Sequence, residues 1–331
     1  MAYKVDGTAY LKDDKTAETF ENVTVTNHYK LFSSLGQDTS SGYAIGGYNH
    51  PPYVGFSRVD KFPFATATTN ATNVGDLLSA AKYGQAASKS LTHCYVAGGQ
   101  NPLSTDHNAI EKFPSSADAN ATDVGDLTQA RLAAGNTDTV GGQGYASGGI
   151  TVPGTVVTTI DKFPFSTDAN ATDVGDSTQA RGYHASHSSA THGYNSGGYT
   201  TSNQNIIDKF PFSTDGNSTD VGDLTIARYS TSGTSSSTHG YTEGGYQFPA
   251  NTYPNVLDKF PFSTDTNAAD VGDMTIAKSA RGGVSSENHG YHTGGSPQVD
   301  TIDRYPFAVD GNATDVGNLS APSVFNTGNQ G

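Results

Sequence analysis

Three short strings recur in fixed order along this chain, and their recurrence constrains the fold more than any other feature. Asp-Lys-Phe-Pro-Phe, with small changes, returns six times, its first aromatic at Phe62, Phe113, Phe163, Phe210, Phe260 and Tyr305. The spacings are 51, 50, 47, 50 and 45 residues. A Gly-Gly pair recurs in phase from Gly46, Gly98, Gly148, Gly197, Gly244 and Gly294. Asp-Val-Gly-Asp, or a close variant, follows with Val74, Val124, Val174, Val221, Val271 and Val316. No i, i+3, i+4, i+7 apolar stripe runs through these units, whereas Gly, Ser, Thr, Asn and Asp crowd the segments between apolar patches. That pattern predicts short strands and tight turns. Apolar residues make up only 34% of the chain, too few for one solid core. Thin sheets repeated about one axis, each packed on its neighbours, fit both observations.

One full unit shows the order of elements. It runs from Leu224-Thr225-Ile226-Ala227-Arg228 through a Ser/Thr stretch to Thr238-His239-Gly240-Tyr241 and Gly244-Gly245. It continues to Val256-Leu257-Asp258-Lys259-Phe260 and closes at Asp270-Val271-Gly272-Asp273. This unit resembles the kelch repeat, with an Arg-led inner strand, a strand ending in Gly-Gly, an alternating third strand and an outer strand. The outer-strand Trp of that family is missing, because the chain has no Trp, and Val stands in its place. The resemblance covers about Lys30 to Leu319 and implies an all-β, kelch-type β-propeller of six four-stranded blades. The two aromatics of Phe-Pro-Phe are expected to pack between blades, with Pro ending the third strand. The stretch from Ser320 to Gly331 looks like the start of another blade. The alternative is therefore seven blades, one of them degenerate and built from residues 1–26 and the C-terminal tail.

Residues 1–26 do not match the repeat and are read as an N-terminal strand-forming arm, with the propeller in 27–331. Ala2-Tyr3-Lys4-Val5 and Thr8-Ala9-Tyr10-Leu11 flank Asp6-Gly7, a hairpin signal, and Glu21 to Thr26 alternates like a further strand. Such an arm either closes its own ring, caps one face, or adds to a neighbouring subunit, with Tyr3, Val5, Tyr10, Leu11, Val23 and Val25 as contact residues. A head-to-tail repeat of that contact would build a filament.

The segment after Phe-Pro-Phe carries the most suggestive polar pattern. Asp168, Asn170, Asp173 and Asp176, and likewise Asp215, Asn217, Asp220 and Asp223, place oxygen ligands at alternate positions around a Gly, as Ca²⁺ requires. Asx-turns explain the same residues without a metal. Asn-x-Ser/Thr at Asn22, Asn70, Asn120, Asn170, Asn217 and Asn312 would accept glycans if the chain met the transferase. His93, His192, His239 and His289 share one phase of the repeat and read as strand-edge residues rather than a metal ring. Lys30, Lys82, Arg131, Arg181, Arg228 and Lys278 are expected to pair with carboxylates such as Asp176 and Asp223. Tyr95, Tyr145, Tyr194, Tyr241 and Tyr291 recur once per unit and either fill the core or stack on sugars.

A net charge of −14, spread along the chain, disfavours nucleic acid, which needs Lys/Arg clusters. Cys94 stands alone, so neither an intrachain disulfide nor a Cys-based zinc site is expected. The first residues lack an apolar signal region, and no stretch reaches membrane-spanning length. No nucleophile–base pair or phosphate loop breaks the repeat, so no enzyme activity is expected. The irregular loops, Pro51-Pro52, Thr151 to Thr159 and Gln247 to Pro254, suit contact surfaces. The units resemble kelch-like proteins of phage and microbial genomes taken as virion or appendage components. The expectation is a self-assembling structural protein, extracellular or virion-associated, whose partner is itself. The alternative is a carbohydrate-binding or receptor-recognition propeller.

Overall fold

In the computed structural model the described residues are 4–5, 9–10, 40–49, 54–64, 70–78, 83–101, 105–132, 134–138 and 142–330. Their regular structure is all strand, and from Ser40 onward it builds six four-stranded antiparallel sheets. Numbered by the Phe-Pro-Phe unit each contains, and read from the axis outward, blade 2 is Ala86–Lys89, His93–Ala97, Ala109–Pro114 and Thr122–Asp126. Blade 3 is Gly135–Asp138, Gln143–Ser147, Thr159–Pro164 and Thr172–Asp176. Blade 4 is Ala185–Ser188, His192–Ser196, Ile206–Pro211 and Thr219–Asp223. Blade 5 is Ser232–Ser235, His239–Glu243, Val256–Pro261 and Ala269–Asp273, and blade 6 is Gly282–Ser285, His289–Thr293, Thr301–Pro306 and Thr314–Asn318.

Blade 1 takes its inner strand from the far end of the chain. Thr327–Gln330 pairs with Ser41–Ile45, which continues to Arg58–Pro63 and Thr72–Asp76. The segment after Ser320 is thus the start of a blade, and that blade is the first one. Six blades close the ring, and the seven-blade alternative falls away because blade 1 already has four strands. Lys4–Val5 and Ala9–Tyr10 pair antiparallel in a two-stranded sheet of their own, Lys4 opposite Tyr10.

Blades hold each other through a repeated aromatic contact. Tyr194 of blade 4 stacks on Phe262 of blade 5, with centroids 4.8 Å apart and planes 25° apart, and tilts against Phe260 at 5.7 Å. The equivalent stacks are Tyr95 on Phe165, Tyr145 on Phe212, Tyr241 on Phe307 and Tyr291 on Phe64. Each such pair adds about 0.5–1.5 kcal/mol beyond the area it buries. Blade 2 has Ser115 where the second Phe would be, and there the Tyr43 hydroxyl donates to the Ser115 carbonyl at 3.1 Å.

A buried ion pair ties the crossovers into blades 3 to 6 to the blade each enters. Arg181 and Asp208 meet at 2.9 Å with both side chains sealed from solvent. Thr178 Oγ1 donates to Asp208 at 2.6 Å, and Arg181 Nη2 donates to the Asn195 carbonyl at 3.2 Å. Arg131–Asp161 and Arg228–Asp258 repeat this at 3.1 Å each. The expected partners Asp176 and Asp223 are therefore corrected. These lie at the end of the outer strand, whereas the crossover Arg runs inward beneath the third strand. Blade 6 has Lys278 at the Arg position, and Arg281 takes over the pairing with Asp303 at 3.0 Å. Lys30 and Lys82 lie outside the described residues.

The Gly-Gly pair makes this crossover fit. Gly148 and Gly149 have φ of 58° and 108°, and a Cβ on Gly148 would stand 2.7 Å from the Arg181 carbonyl oxygen. A side chain there would push blade 4's crossover off blade 3.

Candidate functional site

Around the rim of the ring the outer strands and the turns that lead into them carry the Asp/Asn residues, and the structure uses these as links from blade to blade. Asn170 Oδ1 accepts from the Asp126 amide at 3.0 Å, and Asn217 Oδ1 from the Asp176 amide at 3.0 Å. Asn120, Asn267, Asn312 and Asn70 complete the circle in the same way. Asp168 pairs with Lys112 and Asp215 with Lys162, at 2.5 Å each. Asp173 and Asp220 accept from the amides of Gly175 and Gly222, and Asp176 accepts from Thr158 Oγ1. Asp173 and Asp176 both lie within Thr172–Asp176, and Asp220 and Asp223 within Thr219–Asp223. The strand geometry sets the members of each pair about 10 Å apart along the chain. Among the described residues no three His, Cys, Asp or Glu side chains come together as a metal site.

The acceptor asparagines Asn70, Asn120, Asn170, Asn217 and Asn312 are exposed, with their carbonyl oxygens engaged as above. Asn22 lies outside the described residues, as do Tyr3, Leu11, Val23 and Val25. Val5 and Tyr10 belong to the N-terminal hairpin. His93, His192 and His239 open their second strands, each 2.8 Å from the hydroxyl of the preceding Thr. Burial pushes all three below the ordinary His range, as it does His289. Tyr95, Tyr145, Tyr194, Tyr241 and Tyr291 are buried between blades, which resolves the two readings of that column toward packing.

A further group of half-buried aromatics gathers at one end, around the mouth of the axis. Tyr183, entering blade 4, and Phe325, entering blade 1, come from opposite blades and meet with centroids 5.7 Å apart. Phe325 stacks with Tyr48 at 5.8 Å, and Tyr48 meets Tyr83 at 4.9 Å. On the far side Tyr183 contacts Tyr229 at 6.1 Å, and Tyr229 contacts Tyr199 and Tyr246 at 4.9 and 5.5 Å. All are half-buried.

Most of these residues come from two columns of the repeat. Tyr48, Tyr199 and Tyr246 follow the Gly-Gly pair, and Tyr83 and Tyr229 follow the crossover cation. The columns face each other through single bridges such as Tyr229 to Tyr246. Tyr183 and Phe325 sit one position further on and hold φ of 58° and 53°. Gly84, Ser230 and Ala280 share that backbone at the same place in their crossovers, so it belongs to the repeat.

Polar groups flank the rings. Tyr83 donates to Gln100 Oε1 at 2.5 Å, and Gln100 Nε2 donates to Asp106 at 2.8 Å. The second oxygen of Asp106 accepts from the Val152 amide at 2.6 Å, and the Tyr246 hydroxyl donates to Asn251. Burial and the neighbouring Tyr83, Tyr48, Tyr229 and Asp106 push the Tyr183 phenol up to about 12, so it stays neutral. The loop from Gln247 to Pro254 and the segment around Val152 lie at this end, with Phe248 and Val152 exposed.

One buried cluster breaks the repeat. Tyr305 donates to Glu243 Oε1 at 2.5 Å, and His292 Nε2 lies 3.1 Å from the same oxygen while its ring stacks on Tyr305. Each of the three residues is about 1% exposed. No substrate reaches such a group without the blades parting, so the cluster belongs to the packing of blades 5 and 6.

The molecule is thus a six-bladed β-propeller with an Asp/Asn belt around its rim and an aromatic mouth at one end of its axis. No protein-family model matches this chain, and no curated protein matches it. Among the described residues no helix is long and apolar enough to cross a membrane.

Proposed function

We propose that this propeller is a non-enzymatic recognition module that binds carbohydrate on its aromatic mouth. The carrying observation is the unbroken run of half-exposed rings from Tyr83 through Tyr48, Phe325, Tyr183 and Tyr229 to Tyr246. Sugar rings present C–H faces that pack on aromatic surfaces, and their hydroxyls need mixed donors and acceptors such as Gln100, Asp106 and Asn251. A kelch-like ancestry, a place on a virion or appendage and an extracellular setting accord with this reading and are part of it. On a glycan array the intact protein gives a defined set of hits. Replacing both Tyr229 and Tyr246 with alanine weakens them at least about tenfold, roughly 1.4 kcal/mol. An array without hits sinks the proposal.

A second reading, self-association through the N-terminal arm, draws support from the closure of the ring. Thr327–Gln330 completes blade 1, so no blade needs the arm for its own strands. The full chain at high concentration then scatters light as an oligomer or filament, and a chain lacking residues 1–26 scatters as a monomer. Equal masses for the two count against the arm.

A further inference from the structure

Beneath the Tyr183–Phe325 contact the axis opens into a cavity of about 120 Å³. One residue from the start of each inner strand lines it: Gln85, Ala134, His184, Thr231, Arg281 and Asn326. Its floor is the point where inner strands touch. A Cβ on Gly283 would stand 2.2 Å from the Gly233 carbonyl oxygen, and one on Gly328 would stand 2.1 Å from that of Gly283. The fold repeats around the axis, but this ring of side chains does not, and sequence divergence at equivalent places of a symmetric scaffold marks a site shaped for one occupant.

The wall carries buried polar atoms with no hydrogen-bond partner in the protein. They are both amide ends of Gln85, Oγ1 of Thr231, Nε of Arg281 and Oδ1 of Asn326. All four side chains are more than nine-tenths buried. Buried polar atoms are costly unless something meets them.

Their chemistry selects the partner. The Arg281 charge is already balanced by Asp303 at 3.0 Å, and Nη2 donates to the Ile276 carbonyl at 2.6 Å. Burial and nearby Arg181 push His184 down to about 3, so it adds no charge. An anion would leave the oxygens of Gln85 and Asn326 facing like charge, and the net charge of −14 opposes its approach. A cation would face the Arg281 guanidinium. Hydroxyl groups both donate and accept, and so satisfy a mixed set. The volume is far above the roughly 10–15 Å³ that one water needs and below the roughly 300–1,000 Å³ of drug-sized sites.

We infer that the axial cavity accepts one neutral pyranose ring, the terminal residue of a glycan held on the aromatic mouth. Tyr183 and Phe325 close over its C–H face, and Gln85, Thr231, Arg281 and Asn326 meet its hydroxyls. This deepens the carbohydrate reading and rests on it.

The test is saturation-transfer NMR with free glucose, galactose, mannose and, as the acidic probe, glucuronate. It compares the intact protein with Ala134→Leu, which fills the cavity, Gln85→Leu, which removes the amide, and Val309→Ala, an exposed residue outside both the cavity and the mouth. At least one neutral hexose gives ring-proton signals with the intact protein. Affinity falls at least tenfold in Ala134→Leu and Gln85→Leu and stays within about twofold in Val309→Ala. If Ala134→Leu does not fold, Gln85→Leu decides. No signal from any neutral hexose overturns the cavity assignment, while the mouth still stands or falls by the glycan array. Binding that survives both cavity variants overturns it too, and so does stronger binding of glucuronate.

Discussion

A chain that stops at Phe325 loses at least about 5 kcal/mol of stability, and its melting midpoint falls by roughly 10 °C or more. The removed segment pairs Thr327 with Ile45, Gly328 with Ala44, Asn329 with Tyr43 and Gln330 with Gly42. Asn329 Nδ2 also donates to the Ser88 carbonyl of blade 2 at 2.7 Å. Without it blade 1 keeps three strands, and a row of backbone donors and acceptors opens toward the axis. Net hydrogen-bond contributions near 1 kcal/mol each, over the paired strand and the side chains of Asn326 and Asn329, set the size of the loss. A synthetic peptide covering the missing residues restores much of the midpoint by strand addition, read by circular dichroism melting. An unchanged midpoint after truncation would show that the ring does not depend on this strand.

Replacing Asp208 with alanine costs about 3–5 kcal/mol, because it leaves the Arg181 guanidinium buried and uncompensated. The pair sits at 2.9 Å with both side chains sealed. Burial pulls Arg181 below and pushes Asp208 above their ordinary values, with each partner opposing the other's shift. Desolvation thus outweighs attraction at each group taken alone, and the pair is worth keeping only as a pair. Arg181→Met combined with Asp208→Ala recovers part of the loss, since no charge remains to be stranded. Urea melts of the two single variants and the double variant measure the coupling. A cost below about 1 kcal/mol for Asp208→Ala would mean that water reaches Arg181.

The repeat made the architecture readable because the same physics acts six times. Phe-Pro-Phe, Gly-Gly and Asp-Val-Gly-Asp each serve a contact between neighbouring blades, so each recurs at the blade period. The partner of the crossover Arg was misjudged for a related reason. Asp176 and Asp208 recur with equal regularity, and only the direction of the crossover tells them apart. The aromatic mouth was hidden by the same periodicity. A search for one aromatic per unit finds Tyr95, Tyr145, Tyr194, Tyr241 and Tyr291, which are packing residues. The open rings lie in two or three columns, filled in some blades and empty in others, as Leu132 with Ile150 and Ser279 with Ser296 show. The usable signal was their place next to Gly-Gly and next to the crossover cation, where chain segments approach the axis.

Closure by Thr327–Gln330 also orders events during synthesis. Blades 2 to 6 leave the ribosome before the strand that seals blade 1, so for that interval the molecule is an open stack. Neighbouring members then lean on each other through stacked Tyr and Asn links, and the emergence of Thr327–Gln330 joins the two free flanks.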